Sequence, residues 1–476
     1  MRLIRLVRLF RFSFEYNVSM IDKSIFKAYD IRGVYPTELD EEGAYKIARA
    51  IVEYVHPKTV AVGRDARLTA PAIARAVCLG LEDGGCEVTD CGMAATDMIG
   101  FAAGKFPFDV TISVSASHNP KEWIGMKLFA RGGESIGGEG EIQEIGNIVA
   151  DLNVQYPMSN AQSRGWKKFD LLPDWIEHVL SFAKLDGLPH LKIVVDAGNG
   201  VAGPIVRELF KHLPVTLVEM YFEPDGNFPN HLPSPIEPKN VEDLCKRVVA
   251  EKADLGMAFD GDADRLFLVD DAGRWVNGSE MTALVMDGIL NQDPTRTVLY
   301  NAICGWNVRD VVERHQAHAL RTKVGHGFIK KDMRTYDAYF AGEHSGHYFF
   351  KDNYGCDSGL IAAMFVLSLM AREGKPLGTL LEPHRKYFQI PETNFEVTDT
   401  GGVIDKLAEK FAHEEIDWLD GLTVRTLEWW ANIRPSQTQP LLRLNIEAKT
   451  PELLHQVETE LTEAIQQLDR EQPSHQ

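Results

Sequence analysis

The stretch Thr111-Ile112-Ser113-Val114-Ser115-Ala116-Ser117-His118-Asn119-Pro120 puts a hydroxyl, Ser117, directly before an imidazole, with Lys127 ten positions further on. A hydroxyl with cations close by suits a phosphoryl carrier, and a returning strand would bring the Lys127 ammonium back to the serine. A polar turn after a core strand would carry the same residues. Further along, an apolar run from Asp254 empties into Asp260, Asp262 and Asp264, followed by Arg265. On a straight strand positions i and i+4 stand about 13 Å apart, so the three carboxylates share one ion only if small Gly261 and Ala263 let the chain curl. Hard carboxylate oxygens suit Mg²⁺, which keeps positions for a phosphate. A calcium hand fails, because its glycine position holds Arg265 and its bidentate glutamate position Asp271. A solvated acidic turn is the bland alternative. Arg434 followed by Ser436 and Thr438 makes a plausible phosphate clamp, a planar fork with short donors. In Gly342-Glu343-His344-Ser345-Gly346-His347 the two histidines lie between glycines without a nearby third ligand, which argues against zinc.

Three units of apolar strand, special loop and helix position these residues. Thr59-Val60-Ala61-Val62-Gly63 leads through Arg64 to Thr69 into a helix opened by Ala70-Pro71, and an amphipathic helix runs before it from about Glu42 to Tyr54. The strand Leu191 to Asp196 runs into Gly198-Asn199-Gly200-Val201-Ala202-Gly203, and Thr297 to Tyr300 starts the third unit. The repetition implies an internally repeated α/β architecture. Gly198-x-Gly200-x-x-Gly203 with Glu219 about twenty residues on also matches a dinucleotide fingerprint, so an NAD-dependent oxidoreductase stands as the rival of another class. Gly132 to Gly140 lacks the Gly-Lys-Ser/Thr ending of a P-loop and reads as a flexible surface loop. A helix near Leu360 to Arg372, a break at Pro376 and a last domain from about Asn394 complete the chain.

At 476 residues the chain is long enough for roughly three domains, and 44% apolar with 25% charged residues is a globular composition. A net charge of -19 argues against nucleic acid or anionic membrane as partner. An anionic substrate must then be gathered by local basic residues. Six cysteines without a Cys-x-x-Cys pair fit reduced thiols and a cytoplasmic location. No apolar run is long enough to span a membrane. Arg2, Arg5, Arg8 and Arg11 interrupt the apolar opening, so residues 1–19 read as a dispensable extension or a mis-called start, with the first domain beginning near Met20.

Ser115-Ala116-Ser117-His118-Asn119-Pro120 with Ile124-Gly125-Met126-Lys127 resembles the phosphoserine loop of the alpha-D-phosphohexomutases, in the phosphomannomutase/phosphoglucomutase branch. The common form there is Thr-Ala-Ser-His-Asn-Pro, then Asn-Gly-x-Lys. Ser115 and Ile124 depart from it, the second removing a polar side chain from the returning turn. Asp260-Gly261-Asp262-Ala263-Asp264-Arg265 resembles the family's metal loop, Gly342 to His347 its sugar loop, and Arg434 to Pro440 its phosphate loop, with Gln437 and Gln439 as departures. Ile25 to Gly33 resembles the first active-site segment, with Tyr29 and Arg32 facing the cleft. Lys323 to Lys330 resembles a segment whose Gly-His, here Gly325-His326, reaches it. Some members have a substrate-contacting lysine near Ile303, a role left unassigned here.

The resemblance covers about Ile25 to Ile446. It implies a heart-shaped enzyme of three related α/β/α domains (20–168, 169–272, 273–388) and a smaller C-terminal two-layer α+β domain (389–476). It implies an isomerase that moves phosphate reversibly between O1 and O6 of a mannose or glucose phosphate, through phospho-Ser117 and a 1,6-bisphosphate. Mg²⁺ would sit on Ser117, Asp260, Asp262 and Asp264, with glucose 1,6-bisphosphate as activator. Arg32, His118 and Lys127 compete for the acid/base role. Tyr29, Arg265, His326, Glu343, Ser345, His347, Arg434, Ser436, Gln437 and Thr438 would hold substrate. Glu343 and Ser345 would bond the 3- and 4-hydroxyls and leave the 2-position unread. A monomer or weak dimer serving nucleotide-sugar supply is expected. The alternatives are a phosphoglucosamine mutase and a weakened homologue that only binds sugar phosphates.

Overall fold

The computed structural model describes residues 21–137, 140–157, 165–436 and 441–471. The expected extension at residues 1–19 and the loop residues Gln437, Thr438 and Gln439 lie outside them. The first sheet takes β1 (Ile31–Val34), β2 (Thr59–Arg64), β3 (Glu87–Met93), β4 (Val110–Val114), β5 (Trp123–Ala130), β6 (Glu134–Ser135) and β7 (Lys167–Lys168), in the order β1-β5-β4-β2-β3-β7 with β6 on β5. The second takes β8 (Leu191–Asp196), β9 (Val215–Met220), β10 (Leu255–Phe259), β11 (Leu266–Val269) and β12 (Trp275–Val276), in the order β12-β11-β10-β8-β9. The third takes β13 (Val298–Asn301), β14 (Ala319–Thr322), β15 (Phe340–Gly342) and β16 (Tyr348–Phe350), in the order β14-β13-β15-β16.

One motif repeats in all three. The first parallel strand (β2, β8, β13) lies between the second (β3, β9, β14) and the third (β4, β10, β15), and the third turns back into an antiparallel partner (β5, β11, β16). The inner parallel strands β2, β4, β8, β10, β13 and β15 are largely buried on both faces, as sheets covered by helices require, whereas β3, β9 and β14 are partly exposed. The three hairpin turns, 115–122, 260–265 and 343–347, are thus equivalent positions, and each carries one of the chemically distinctive motifs.

The fourth sheet, of β17 (Phe388–Gln389), β18 (Thr393–Phe395), β19 (Glu415–Asp417), β20 (Leu422–Arg425), β21 (Trp429–Pro435) and β22 (Leu442–Ala448), is antiparallel in the order β17-β22-β21-β20-β19, with β18 on β22. Helices Thr400–Lys410 and Pro451–Arg470 cover one face, their Leu407 and Leu461 sharing a core with Leu422, Ile433 and Leu444 of the sheet. That core is separate, whereas Phe101, Trp175, Ile193, Phe259, Leu284 and Leu360 belong to one apolar body running through the first three units. The last unit docks through polar contacts. Glu447 accepts the Trp306 N–H at 2.6 Å, Asp420 accepts the Val324 N–H at 3.1 Å, and Asp417 pairs with Arg321.

Two expectations change. The glycine-rich stretch after Gly132 is packed: Ile136 is buried, a Cβ on Gly137 would lie 2.8 Å from the Tyr29 carbonyl oxygen, and Cys356 Sγ contacts the Gly133 carbonyl. Its described residues wedge between the first and third units, so its glycines serve close approach. The dinucleotide fingerprint also has another cause. A Cβ on Gly203 would lie 2.0 Å from the Phe222 carbonyl oxygen and one on Gly200 2.7 Å from that of Gly261, so backbone fills the space a pyrophosphate would need. Glu219 meanwhile pairs with Arg207 on the surface. Gly203→Ala is therefore expected to cost about 1–3 kcal/mol through overpacking, read as a lower urea midpoint. An unchanged midpoint would show that this turn yields easily.

Candidate functional site

The three equivalent turns converge on one cleft of about 720 Å³, closed on its remaining side by the fourth unit. Ser117 is fully buried and left-handed at φ 51°. Arg67 holds its loop in shape, donating Nη2 to the Ser117 and Asn119 carbonyls at 2.8 and 2.7 Å and Nη1 to those of Pro120 and Trp123 at 2.6 and 3.1 Å. Asp65 orients that guanidinium and also accepts from Ser115 Oγ, which in turn accepts the Ser117 N–H at 2.8 Å. Serine at 115 thus performs the loop-bracing role its hydroxyl allows. Sequence reasoning missed Arg67, although it stands in the loop after β2 that was singled out.

Ser117 Oγ donates to Asp260 Oδ2 at 2.7 Å and lies 3.2 Å from His118 Nδ1. The aspartate loop curls as its small residues allow: Ala263 is left-handed at φ 64°, and a Cβ on Gly261 would lie 2.6 Å from the Ser117 carbonyl oxygen. The contact between the two loops thus depends on that missing side chain. Asp260, Asp262 and Asp264 bring ligand oxygens within 4.8 Å of one another, all buried. Oδ1 of Asp262 has no hydrogen-bond donor, and Oδ1 of Asp264 has only His347 Nε2 near it, at 3.5 Å. Buried carboxylate oxygens left in this state fit a hard divalent cation.

Lys127 departs from the sequence expectation. Its ammonium goes to Asp262 at 3.0 Å and Asp264 at 2.5 Å rather than to the serine. Burial works against its charge, but the two carboxylates push its pKa up. Burial and the like charges of Asp262 and Asp264 push the Asp260 carboxyl well up, whereas Lys127 overrides burial at Asp264 and pulls that group well down. Burial and the nearby Arg265 and Arg32 push the His118 imidazole well below its usual value. Arg32 is aligned by Asp30 and donates to Asn119 at 2.6 Å. Arg265 stands 3.4 Å from Asp260 and bridges to His347 on the neighbouring turn.

Ile124 is not in a turn. It is buried on β5 in the core of the first unit, and Lys127, an odd number of residues away, therefore points to the opposite face. A polar residue there would face the core, so this departure takes nothing from the cleft. Ile303 does line the cleft.

In the third turn Glu343 accepts from Asn301 and the Gly325 N–H, both at 3.1 Å, from Ser345 at 3.2 Å, and from His347 at 3.0 Å. Burial and Arg265 oppose the charge on His347, yet Asp264 and Glu343 push it up to about 9. His344 bonds Ser279 at 2.9 Å, so the two histidines of the loop do not form a metal pair. Tyr29 packs edge-on to His326 at 4.7 Å, and both line the cleft.

Arg434 lies at the end of β21 rather than in a turn, and points into the cleft with Arg443 from β22. Glu392 joins the two, bonded to each at 2.8 Å. Ser436 follows, its N–H bonded to the Leu441 carbonyl. Arg443 and Glu392 were not foreseen, since nothing in the sequence sets the register that pairs them with Arg434.

Phosphoglucomutase/phosphomannomutase alpha/beta/alpha domains I, II and III match residues 23–154, 173–273 and 277–387, and the C-terminal domain matches 392–464. The phosphomannomutase of Salmonella montevideo is 36% identical over 438 residues, 90% of this chain and 96% of that protein. That of Vibrio cholerae is 35% identical, covering 94% of this chain and 100% of its own length. A crystal structure of a phosphoglucomutase/phosphomannomutase family protein from Burkholderia thailandensis superposes with a TM-score of 0.85 at 34% identity, covering 95% of this chain and 99% of that one.

Proposed function

The chain belongs to the phosphoglucomutase/phosphomannomutase family, and from that premise we propose that it moves phosphate reversibly between O1 and O6 of a hexose through phospho-Ser117. The observation that carries this reading is Ser117 Oγ, buried and 2.7 Å from Asp260, beside the buried carboxylates of Asp262 and Asp264 and next to His118 and Arg265 of a cleft lined by arginines.

In the first half-reaction a hexose hydroxyl attacks the phosphoryl group of Ser117. The new O–P bond forms as the Oγ–P bond breaks, and the hydroxyl proton must leave while Oγ regains one. His118 Nδ1, at 3.2 Å from Oγ, is placed to relay it. The resulting bisphosphate turns over in the cleft and returns its other phosphate to Ser117. Asp260, Asp262 and Asp264, with the phosphoserine, would hold Mg²⁺, which when bound supplies charge neutralisation at the transferring phosphoryl group. Arg265 and Lys127 add positive charge there, and Arg434 with Ser436 and the loop after it would hold the other phosphate. Glu343 has four internal donors, and Ser345, a freely rotating hydroxyl, is the one a sugar hydroxyl can replace. Because the last unit has its own core and polar docking contacts, its closure would exclude water from the phosphoserine.

The test is a coupled assay with mannose 1-phosphate and glucose 1-phosphate in parallel, with Mg²⁺ and a trace of glucose 1,6-bisphosphate to charge Ser117. Turnover of both is expected, since Glu343 and Ser345 would not read the 2-position. Turnover of glucosamine phosphate alone would move the substrate assignment, and no turnover of any of the three by folded protein would overturn the function.

A further inference from the structure

We propose that Arg443 is a second phosphate-binding residue of the cleft, paired with Arg434 and aligned by Glu392. The proposal rests on the mutase function above and extends the clamp beyond the loop that carries Ser436.

Three observations carry it. In the antiparallel pair β21 and β22, Arg434 and Arg443 are directly opposite one another, and directly opposed residues share a face. That face is the cleft, while their neighbours Ile433, Leu442 and Leu444 are fully buried in the core beneath. Second, Glu392 divides its carboxylate between them: Oε1 accepts from Arg443 Nη1 and Oε2 from Arg434 Nη2, each at 2.8 Å, with Asn445 Nδ2 on Oε2 at 3.2 Å. Two guanidiniums set to share one oxyanion are spaced to share another. Third, Nε of Arg434 is buried without an acceptor, a donor aimed at no protein atom.

Charge shows why the second arginine matters. Arg434 and Glu392 alone form a neutral pair with little attraction for a dianion. Arg443 leaves the trio with one net positive charge while Glu392 still fixes both forks. Arg443 thus contributes affinity, and Glu392 acts through the arginines as a positioning residue.

The experiment uses the full chain carrying Ser117→Ala, which binds without turnover, titrated by calorimetry with glucose 6-phosphate and separately with inorganic phosphate. Arg443→Met is expected to weaken both by about tenfold or more, with Arg443→Lys intermediate because it keeps charge and loses the fork. In the active chain the same change raises KM for the hexose phosphate and leaves kcat within a few fold. If Arg443→Met fails to fold, Arg443→Gln is read in the same titration. Affinities within twofold of the parent, in a folded variant whose Arg434→Met counterpart binds weakly, would overturn the proposal and reduce the trio to an ion network that ties the last unit to its linker. Arg443-dependent phosphate binding by a chain that turns over no hexose phosphate would uphold the site and overturn the mutase function instead.

Discussion

Replacing Ser117 by alanine or by glycine is expected to lower turnover by about four orders of magnitude or more, with the far-ultraviolet spectrum unchanged. Both variants remove the Oγ that would carry the phosphoryl group, and no other described hydroxyl bonds Asp260 from that position. The two should differ in stability. Ser117 is left-handed, with φ at 51°, a conformation that costs a residue with a Cβ about 1–2 kcal/mol. Glycine avoids that cost but loses about 0.5–1 kcal/mol of chain entropy, so Ser117→Gly should be the more stable variant by roughly 0.5–1 kcal/mol, read from urea midpoints. Arg67 explains how the strain is held, since its four bonds to loop carbonyls leave the backbone little choice. Retained turnover in either variant would remove the phosphoserine from the mechanism. Equal stability would show the left-handed turn to be unstrained.

Much of this arrangement is legible in the amino-acid sequence. Strands such as Leu191 to Asp196 are largely apolar runs followed by small residues, and such runs mark the centre of a covered sheet. The alternating aspartates are equally direct, because only a curled loop makes use of three carboxylates with Gly261 and Ala263 between them. What escapes depends on pairing between distant residues. The partner of Lys127 is chosen by the packing of β5 against a loop 135 residues away, and no local pattern encodes it. Arg443 looks like an ordinary strand cation until the register of β21 and β22 places it opposite Arg434. The glycines from 198 to 203 show the opposite failure, a true local signal with two physical causes. Close approach of backbone to backbone needs the same missing Cβ as close approach to a pyrophosphate. Ile124 was within reach, since a period of two from Lys127 already assigns it to the core face.

The Lys127 contacts lead to the second large effect. Lys127→Met is expected to cost about 3–5 kcal/mol in the presence of a chelator, since it leaves Asp260, Asp262 and Asp264 buried within 4.8 Å of one another without their ammonium. The pH dependence follows from the directions of the shifts. Lys127 is raised, so its contribution is complete below its unfolded value and fades at more alkaline pH. Asp264 and Asp262 are lowered, so theirs is complete above the usual carboxylate range and fades as pH falls through it. The gap between parent and variant should therefore be widest near neutral pH and shrink below about pH 4, where protonation removes the repulsion. If the three carboxylates bind Mg²⁺, the ion replaces part of the missing charge. Mg²⁺ should then raise the melting temperature of Lys127→Met more than that of the parent, whose ammonium already offsets part of the cluster's charge. Turnover should fall in the variant even at saturating Mg²⁺, because the ammonium that orients Asp262 and Asp264 is gone. A variant as stable as the parent in chelator would show that the aspartates are neutral without Lys127. One that Mg²⁺ does not stabilise would remove the metal from this loop.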